Sequence, residues 1–235
     1  TLDDGAISNA ADLQSLSTAL RTLHAGGTTS IDLGNISSAI SGNFTQLNAL
    51  ITGVGTRYSN LNGRALTENS GGDISVNNAN TLSGATSGVV TATIAAGNLA
   101  TVNGLSDASQ PTGGNAFTVT VNDTKVDAGD LKLLNDKVNS TGSITTSNLV
   151  AIEGSFSELQ QFISDTDDYT GDTAIATVEL NVGEAISSAN DLQTLSTNFR
   201  SLKAADNNVT IDLTNITKIT GSDFEKVEAI VDGVG

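Results

Sequence analysis

The densest group of residues able to do chemistry is acidic. The stretch "SDTDDYTGD" places Asp165, Asp167, Asp168 and Asp172 within eight residues. Carboxylates at that spacing on a loop could wrap a Ca²⁺ ion, which takes about six to eight oxygen ligands. The flanking pattern is not that of an EF-hand: there is no D-x-D-x-D-G core and no Glu at the twelfth place. The G-G-x-G-x-D nonapeptide of Ca²⁺-binding β-rolls is missing too. A solvated acidic loop is the simpler reading of the four aspartates, and "TLDD" at residues 1–4 is a weaker version of the same feature.

Other chemistries find less support. His24 is the only histidine. A general base or metal ligand is one reading of it, but a duplicated segment places Lys203 at the equivalent position, which favours a solvated helix end. No G-x-S-x-G elbow supports a Ser-His-Asp triad. The glycines stand singly or in pairs at chain breaks, with no G-x-x-x-x-G-K-[ST] and no G-x-G-x-x-G opening a helix. Turn positions account for them. Asp32 and Asp212 are equivalent across the duplication, and two carboxylates are what a glycosidase needs, within about 5 to 10 Å. They lie about 180 residues apart, each between two apolar residues, so both read as outward positions on alternating strands. Thr runs such as "TATI" and "TVTV" match the T-x-T ladders of ice-binding solenoids in type. Those ladders need the same spacing on successive flat rungs, and here helices of varying length are expected to separate the rungs, which counts against that reading.

Composition narrows the classes further. The 235 residues carry 26 acidic against 10 basic side chains, a net charge of −16. Phosphate binding needs clustered Lys and Arg, so nucleic acid and anionic membrane surfaces are poor partners. Ser and Thr supply roughly a quarter of the chain, aromatics only 3%, and there is no Cys, Met or Trp. The core must therefore be built mainly of Leu, Ile, Val and Ala. Lack of Cys rules out disulfides and thiolate chemistry and fits thiol-free secreted bacterial proteins. No apolar run approaches the ~20 residues that span a bilayer, so no membrane insertion is expected.

Duplication organises the chain. "ISNAADLQSLSTALRTLHA" (7–25) aligns without gaps to "ISSANDLQTLSTNFRSLKA" (186–204), with 12 of 19 positions identical. "IDLGNISSAISGNFTQLNALITGVG" (31–55) meets "IDLTNITKITGSDFEKVEAIVDGVG" (211–235), with 10 of 25 identical. Between the copies, β-like runs ("TSIDL", "DISV", "VVTATI", "AFTVTV", "GSITT", "ATVEL", "VTIDL") alternate with helical stretches carrying Leu at i, i+3 or i+4. Asn9 or Ser8, Asn43, Asp127, Ser188 and Ser222 suit helix N-caps. Strand, turn, helix, turn, repeated every ~25 to 35 residues, is the grammar of a stacked repeat. The expectation is an α/β fold: an elongated, solenoid-like repeat stack of short, mainly parallel strands alternating with helices, forming a single domain over 1–235. The chain itself is expected to be a piece of a longer protein.

Two resemblances bear on this. "VTIDLTNITKITGSDFEKVEAI" is similar in part to leucine-rich repeats through Ile211, Leu213, Asn215 and Ile216, but the spacing after Asn215 is one residue short. "NNANTLSGATSGVVTATIAAGNLATVNGLS" and "TKVDAGDLKLLNDKVNSTGSITTSNLVAIEG" resemble the repeat units of very large secreted and cell-surface proteins of bacteria, cyanobacteria among them. That resemblance implies an extracellular, structural or adhesin-like role at the bacterial cell surface, with neighbouring repeats as partners. It carries over no catalytic residue, and no enzyme is expected. The rival is a Ca²⁺-dependent module binding a cell-surface glycan or protein, for which only Tyr58 and Tyr169 are available as aromatic platforms.

Overall fold

The structure is a computed structural model that describes residues 9–24, 29–106, 114–171, 175–182, 185–186, 188–202 and 209–219. Ser8, Asp172, Lys203, Ser222 and Phe224 lie outside them. The chain divides into two compact units, one of Thr1–Ala96, Thr101–Thr120 and Leu134–Ile144, the other of Gly97–Ala100, Val121–Leu133 and Thr145–Gly235.

In chain order the elements are α1 (Ala10–Leu23), β1 (Ile31–Asp32), β2 (Ile40–Gly42), α2 (Phe44–Thr52), β3 (Tyr58–Ser59), β4 (Leu66–Glu68), α3 (Val76–Gly84) and β5 (Val90–Thr93). There follow α4 (Leu99–Val102), β6 (Ala116–Thr120), β7 (Lys125–Asp127), α5 (Ala128–Asn135), β8 (Ser143–Thr145), β9 (Ala151–Gly154) and α6 (Phe156–Ser164). The last are β10 (Tyr169–Thr170), β11 (Thr177–Leu180), β12 (Ala185–Ile186), α7 (Ala189–Leu202), β13 (Thr210–Asp212) and β14 (Lys218–Ile219). The fold is α/β, and every strand pair whose register is described is parallel.

Register follows a rule. In the first unit β2, β4, β5 and β6 are successive neighbours, with Ile40 opposite Leu66, Leu66 opposite Val90 and Thr91 opposite Ala116. In the second, β7, β9, β11 and β13 are successive neighbours: Lys125 faces Ala151, Ala151 faces Thr177 and Thr177 faces Thr210. Most strand partners are thus separated by roughly 25 residues of chain, within the range of one stacked repeat unit. The step lengthens by about two helical turns at Asn9–Ser41, Thr177–Thr210 and Ala185–Lys218. Each of those three steps contains α1 or α7, which have 14 residues where α2, α3 and α6 have nine. A longer helix absorbs extra chain and leaves the strand pairing untouched.

Caps decide where helices start. Asn43 and Ser155 form capping boxes with Gln46 and Glu158, and Asn9 accepts the Ala11 N–H. Each reciprocal pair satisfies orphan donors of the first turn. The "DISV" strand expected from β-branched content is overturned by such a cap. Ser75 accepts the Asn78 N–H at 3.2 Å and Val76 opens α3, leaving Ile74 in a single bridge to Ile94. The expected grammar is also short by one strand. β1 and β2 precede α2, β3 and β4 precede α3, and β8 and β9 precede α6. Runs as brief as "ISG" and "LTE" are too short for alternation to register.

Buried Leu, Ile and Val dominate the interior, as composition requires: Leu13, Ile40, Leu47, Leu50, Leu66 and Leu82 in the first unit, Ile152, Leu159, Val178 and Leu180 in the second. The few aromatics concentrate there as well. Phe162 stacks on Tyr169 at 5.3 Å and on Phe199 at 6.0 Å between ring centroids. Glycines act at close approaches as well as at turns. A Cβ on Gly142 would stand 2.5 Å from the Phe117 carbonyl oxygen, and one on Gly88 the same distance from the Arg64 carbonyl.

Candidate functional site

The acidic loop forms at the end of α6. Asp165 is the helix C-cap, and its Oδ1 accepts the Gln161 Nε2 at 2.8 Å and the Ser164 hydroxyl at 3.2 Å. Asp167 and Asp168 follow in a single 3-10 turn, Thr166–Asp168. Among the described residues no group of three or more His, Asp or Glu is arranged to hold a metal ion. The fourth expected ligand, Asp172, is not among them.

A longer row of carboxylates lies across the second sheet. Strand register puts Asp127, Glu153, Glu179 and Asp212 side by side on β7, β9, β11 and β13. Parallel neighbours stand about 4.8 Å apart, so this is a line of like charges on one face. Val126, Ile152 and Val178 alternate with it on the buried face. Lys125 relieves part of the repulsion: its Nζ lies 2.8 Å from Glu153 and 2.5 Å from Glu179. These two carboxylates hold the ammonium pKa above its ordinary value. The pattern "KVD", "AIE", "TVE", "TID" was visible in the sequence, but only the register aligns its acids.

Asp32 and Asp212, equivalent across the duplication, lock turns. The Asp32 Oδ1 accepts the Gly34 N–H at 2.8 Å and the Asn60 Nδ2 at 2.8 Å, and the Asp212 Oδ1 accepts the Thr214 N–H at 2.8 Å. Backbone donation from Gly34, then Asn60, lowers the Asp32 pKa; the Thr214 N–H, then its side chain, does the same for Asp212. Asp127 repeats the device, accepting from Gly129 and Asp130 at the start of α5. Asp32 and Asp212 sit in Asx turns, a local backbone role that strand alternation alone did not suggest, whereas Asp127 caps α5 as its sequence position suggested. Asn215 Nδ2 donates to the Leu180 carbonyl at 3.0 Å, 35 residues back along the chain.

His24 is exposed at the C-cap of α1, where its backbone N–H donates to Leu20. Tyr58 and Tyr169, the platforms a glycan face would use, are 1% and 6% exposed. Burial raises the Tyr58 pKa. Hydroxyls form the other regular feature: Ser41, Thr67 and Thr91 align across β2, β4 and β5, and Thr93 aligns with Thr118. The strands that carry them pair directly, so no helix separates the aligned hydroxyls, contrary to the sequence expectation. A shallow depression of about 550 Å³ on α1 is lined by Ala11, Gln14, Ser15, Thr18 and Ala19, none of which titrates near neutrality.

No family model, no curated protein and no solved structure matches the chain. No described helix is long and apolar enough to cross a membrane. What the described side chains do together is join neighbouring strands and fix turns.

Proposed function

We propose that the chain is a non-enzymatic structural and interaction module, a solenoid-like stack that serves as spacer, surface array or adhesion scaffold. We assign it to a large extracellular or cell-surface bacterial protein. The observation that carries this reading is the register: parallel strand partners recur at a nearly constant step, and the lengthened steps among the described pairs contain the two long helices. A chain that preserves strand pairing while letting helix length vary is built by adding rungs. The polar side chains described serve that construction. Lys125 ties three strands, Asn60 and Arg64 tie neighbouring turns, and the outward rows are hydroxyls and carboxylates. A net charge of −16 and a thiol-free composition keep such a surface soluble outside the cell.

Small-angle scattering tests it. A stack of rungs gives a rod-like profile whose maximum dimension well exceeds that of a sphere of 23.8 kDa. A compact profile overturns the scaffold reading.

A further inference from the structure

The two duplicated segments have the same sequence plan and different exposure. In the first copy Ile31, Leu33 and Ile36 are 5%, 0% and 3% exposed. Their counterparts Ile211, Leu213 and Ile216 are all half-exposed. Ser17 is buried, and its counterpart Ser196 is half-exposed. Exposure of three apolar side chains at positions that are sealed in the sister copy asks what does the sealing.

In the first copy it is the stretch "TRYSNLNGR", residues 56–64. β3 pairs with β1 so that Tyr58 faces Ile31 and Ser59 faces Asp32. The N–H groups of Ile31 and Leu33 donate to the Arg57 and Ser59 carbonyls at 2.9 and 3.0 Å. Asn60 donates to Asp32, and Arg64 donates to the Gly34 and Ile36 carbonyls at 3.0 and 2.8 Å. Arg21 reaches the Thr56 carbonyl from α1. The 235 residues contain no second segment of this pattern.

The second copy presents the same set of partners. Thr210 donates its N–H to Ala176, toward β11. N–H groups alternate direction along a parallel strand, so those of Ile211 and Leu213 point to the opposite edge. No described strand covers that edge. Asp212 and the carbonyls of Thr214 and Ile216 occupy the positions aligned with Asp32, Gly34 and Ile36 in the first copy.

We propose that the outer edge of β13 is a docking edge for a strand-and-turn segment of the form Thr-x-Tyr-Ser-Asn-Leu-x-x-Arg, supplied by a further repeat of the same polypeptide. Residues 186–235 then open a new repeat and do not close the old one. The proposal rests on the scaffold reading only for the source of the segment; the edge and its donors stand apart from it. A second copy of the chain is the poorer supplier, because its own β1 already holds its Tyr58–Ser59 strand.

The test lengthens the chain after Gly235 by a copy of residues 56–107 and follows amide exchange at Ile211 and Leu213, with Ile31 and Leu33 as references. In the 235-residue chain Ile211 and Leu213 exchange on the order of 100-fold faster than the references, since edge N–H groups open without global unfolding. The extension slows them to the reference rate, and an extension with Tyr58, Asn60 and Arg64 of the appended copy changed to Ser does not. Equal protection before extension, or no slowing after it, overturns the proposal. Protection that rises with the concentration of the 235-residue chain assigns the edge to a second copy and overturns the source. Leu33→Ala and Leu213→Ala in the 235-residue chain give a reading that needs no extension. Leu33→Ala lowers Tm several-fold more than Leu213→Ala, and equal losses overturn the proposal. Scattering reads the scaffold separately: a compact particle with a docking-competent β13 edge removes that reading and leaves this one.

Discussion

The side chain of Asn115, fully buried, accepts the backbone N–H of Val90 at 2.8 Å, 25 residues back along the chain. Its Nδ2 donates to the Ser83 hydroxyl at 3.1 Å, and its backbone carbonyl accepts from Asn139 at 2.8 Å. One amide thus satisfies a strand N–H and a helix hydroxyl in a place water does not reach. Asn115→Ala strands both, which costs about 1–3 kcal/mol for each unsatisfied group. Equilibrium urea unfolding should show a loss in that range with an unchanged m-value. A loss below about 0.5 kcal/mol, the scale of a neutral surface change, would mean that the amide is not structurally engaged.

How far the sequence announced this depends on length of signal. The 14-residue helices and the five-residue strand β6 stand out, because their periodicity runs long enough to be seen. The three-residue strands β2 and β4 do not, and with them went the second strand before α2 and before α3. Asn115 sits among glycines in "QPTGGNAF" and reads as loop; only parallel pairing brings Val90 to its amide. The acidic line has the same history. Asp127, Glu153, Glu179 and Asp212 become neighbours only once the step from strand to strand, and its lengthening across α7, are known. Local chemistry was legible in this chain and cross-strand chemistry was not.

Gly142 has no room for a side chain. Its Cβ would meet the Phe117 carbonyl oxygen at 2.5 Å and the Val138 side chain at 2.6 Å. Backbone cannot yield as a flexible side chain would, so Gly142→Ala forces its own segment away from β6 at Phe117. Overpacking of this kind costs about 1–3 kcal/mol. Gly84→Ala is the control: nothing lies within 4 Å of its Cβ. Thermal melts should place Gly142→Ala well below the parent and Gly84→Ala at or above it.

Lys125 bridges two carboxylates that otherwise face each other across neighbouring strands. Its side chain is 39% exposed, so each pair contributes only about 0.2–1 kcal/mol. Lys125→Met removes both and leaves Glu153 beside Glu179. The variant should be destabilised at low ionic strength and the deficit should shrink in 0.5 M salt, since exposed charges are screened beyond the Debye length. The raised pKa sets the other limit: the contribution is complete below the ordinary lysine value of 10.5 and is lost as pH climbs through the higher folded value. A triple replacement of Lys125, Glu153 and Glu179 by Met, Gln and Gln should recover part of the loss, because no like charges remain.

Asp165 commits its Oδ1 to Gln161 and Ser164 inside its own helix end. A Ca²⁺ ligand set built on Asp165, Asp167, Asp168 and Asp172 would have to compete with those donors. The expected result is the same Tm in 1 mM EDTA and in 5 mM Ca²⁺. A rise in Tm with Ca²⁺ that disappears in Asp167→Asn with Asp168→Asn would restore the cation-dependent adhesin reading.

Acid should loosen the turns before it unfolds the sheets. The Gly34 N–H, with Asn60, holds the Asp32 carboxyl below its ordinary value of 3.8, and the Thr214 N–H and side chain do so for Asp212. A folded pKa below the unfolded one means that the carboxylate stabilises the native state fully above the unfolded value. That stabilisation is lost as pH falls through the folded value, because the protonated group accepts these bonds less strongly. The window therefore opens near pH 4 and extends downward. Asp32→Asn with Asp212→Asn keeps an acceptor oxygen at each turn and removes the titration. The parent should be the more stable above pH 5, the difference should shrink as pH falls below the ordinary value of 3.8, and the two melting curves should converge at the acid end. A gap that stays constant across that window would place the effect of the substitutions in packing, with no share for ionisation.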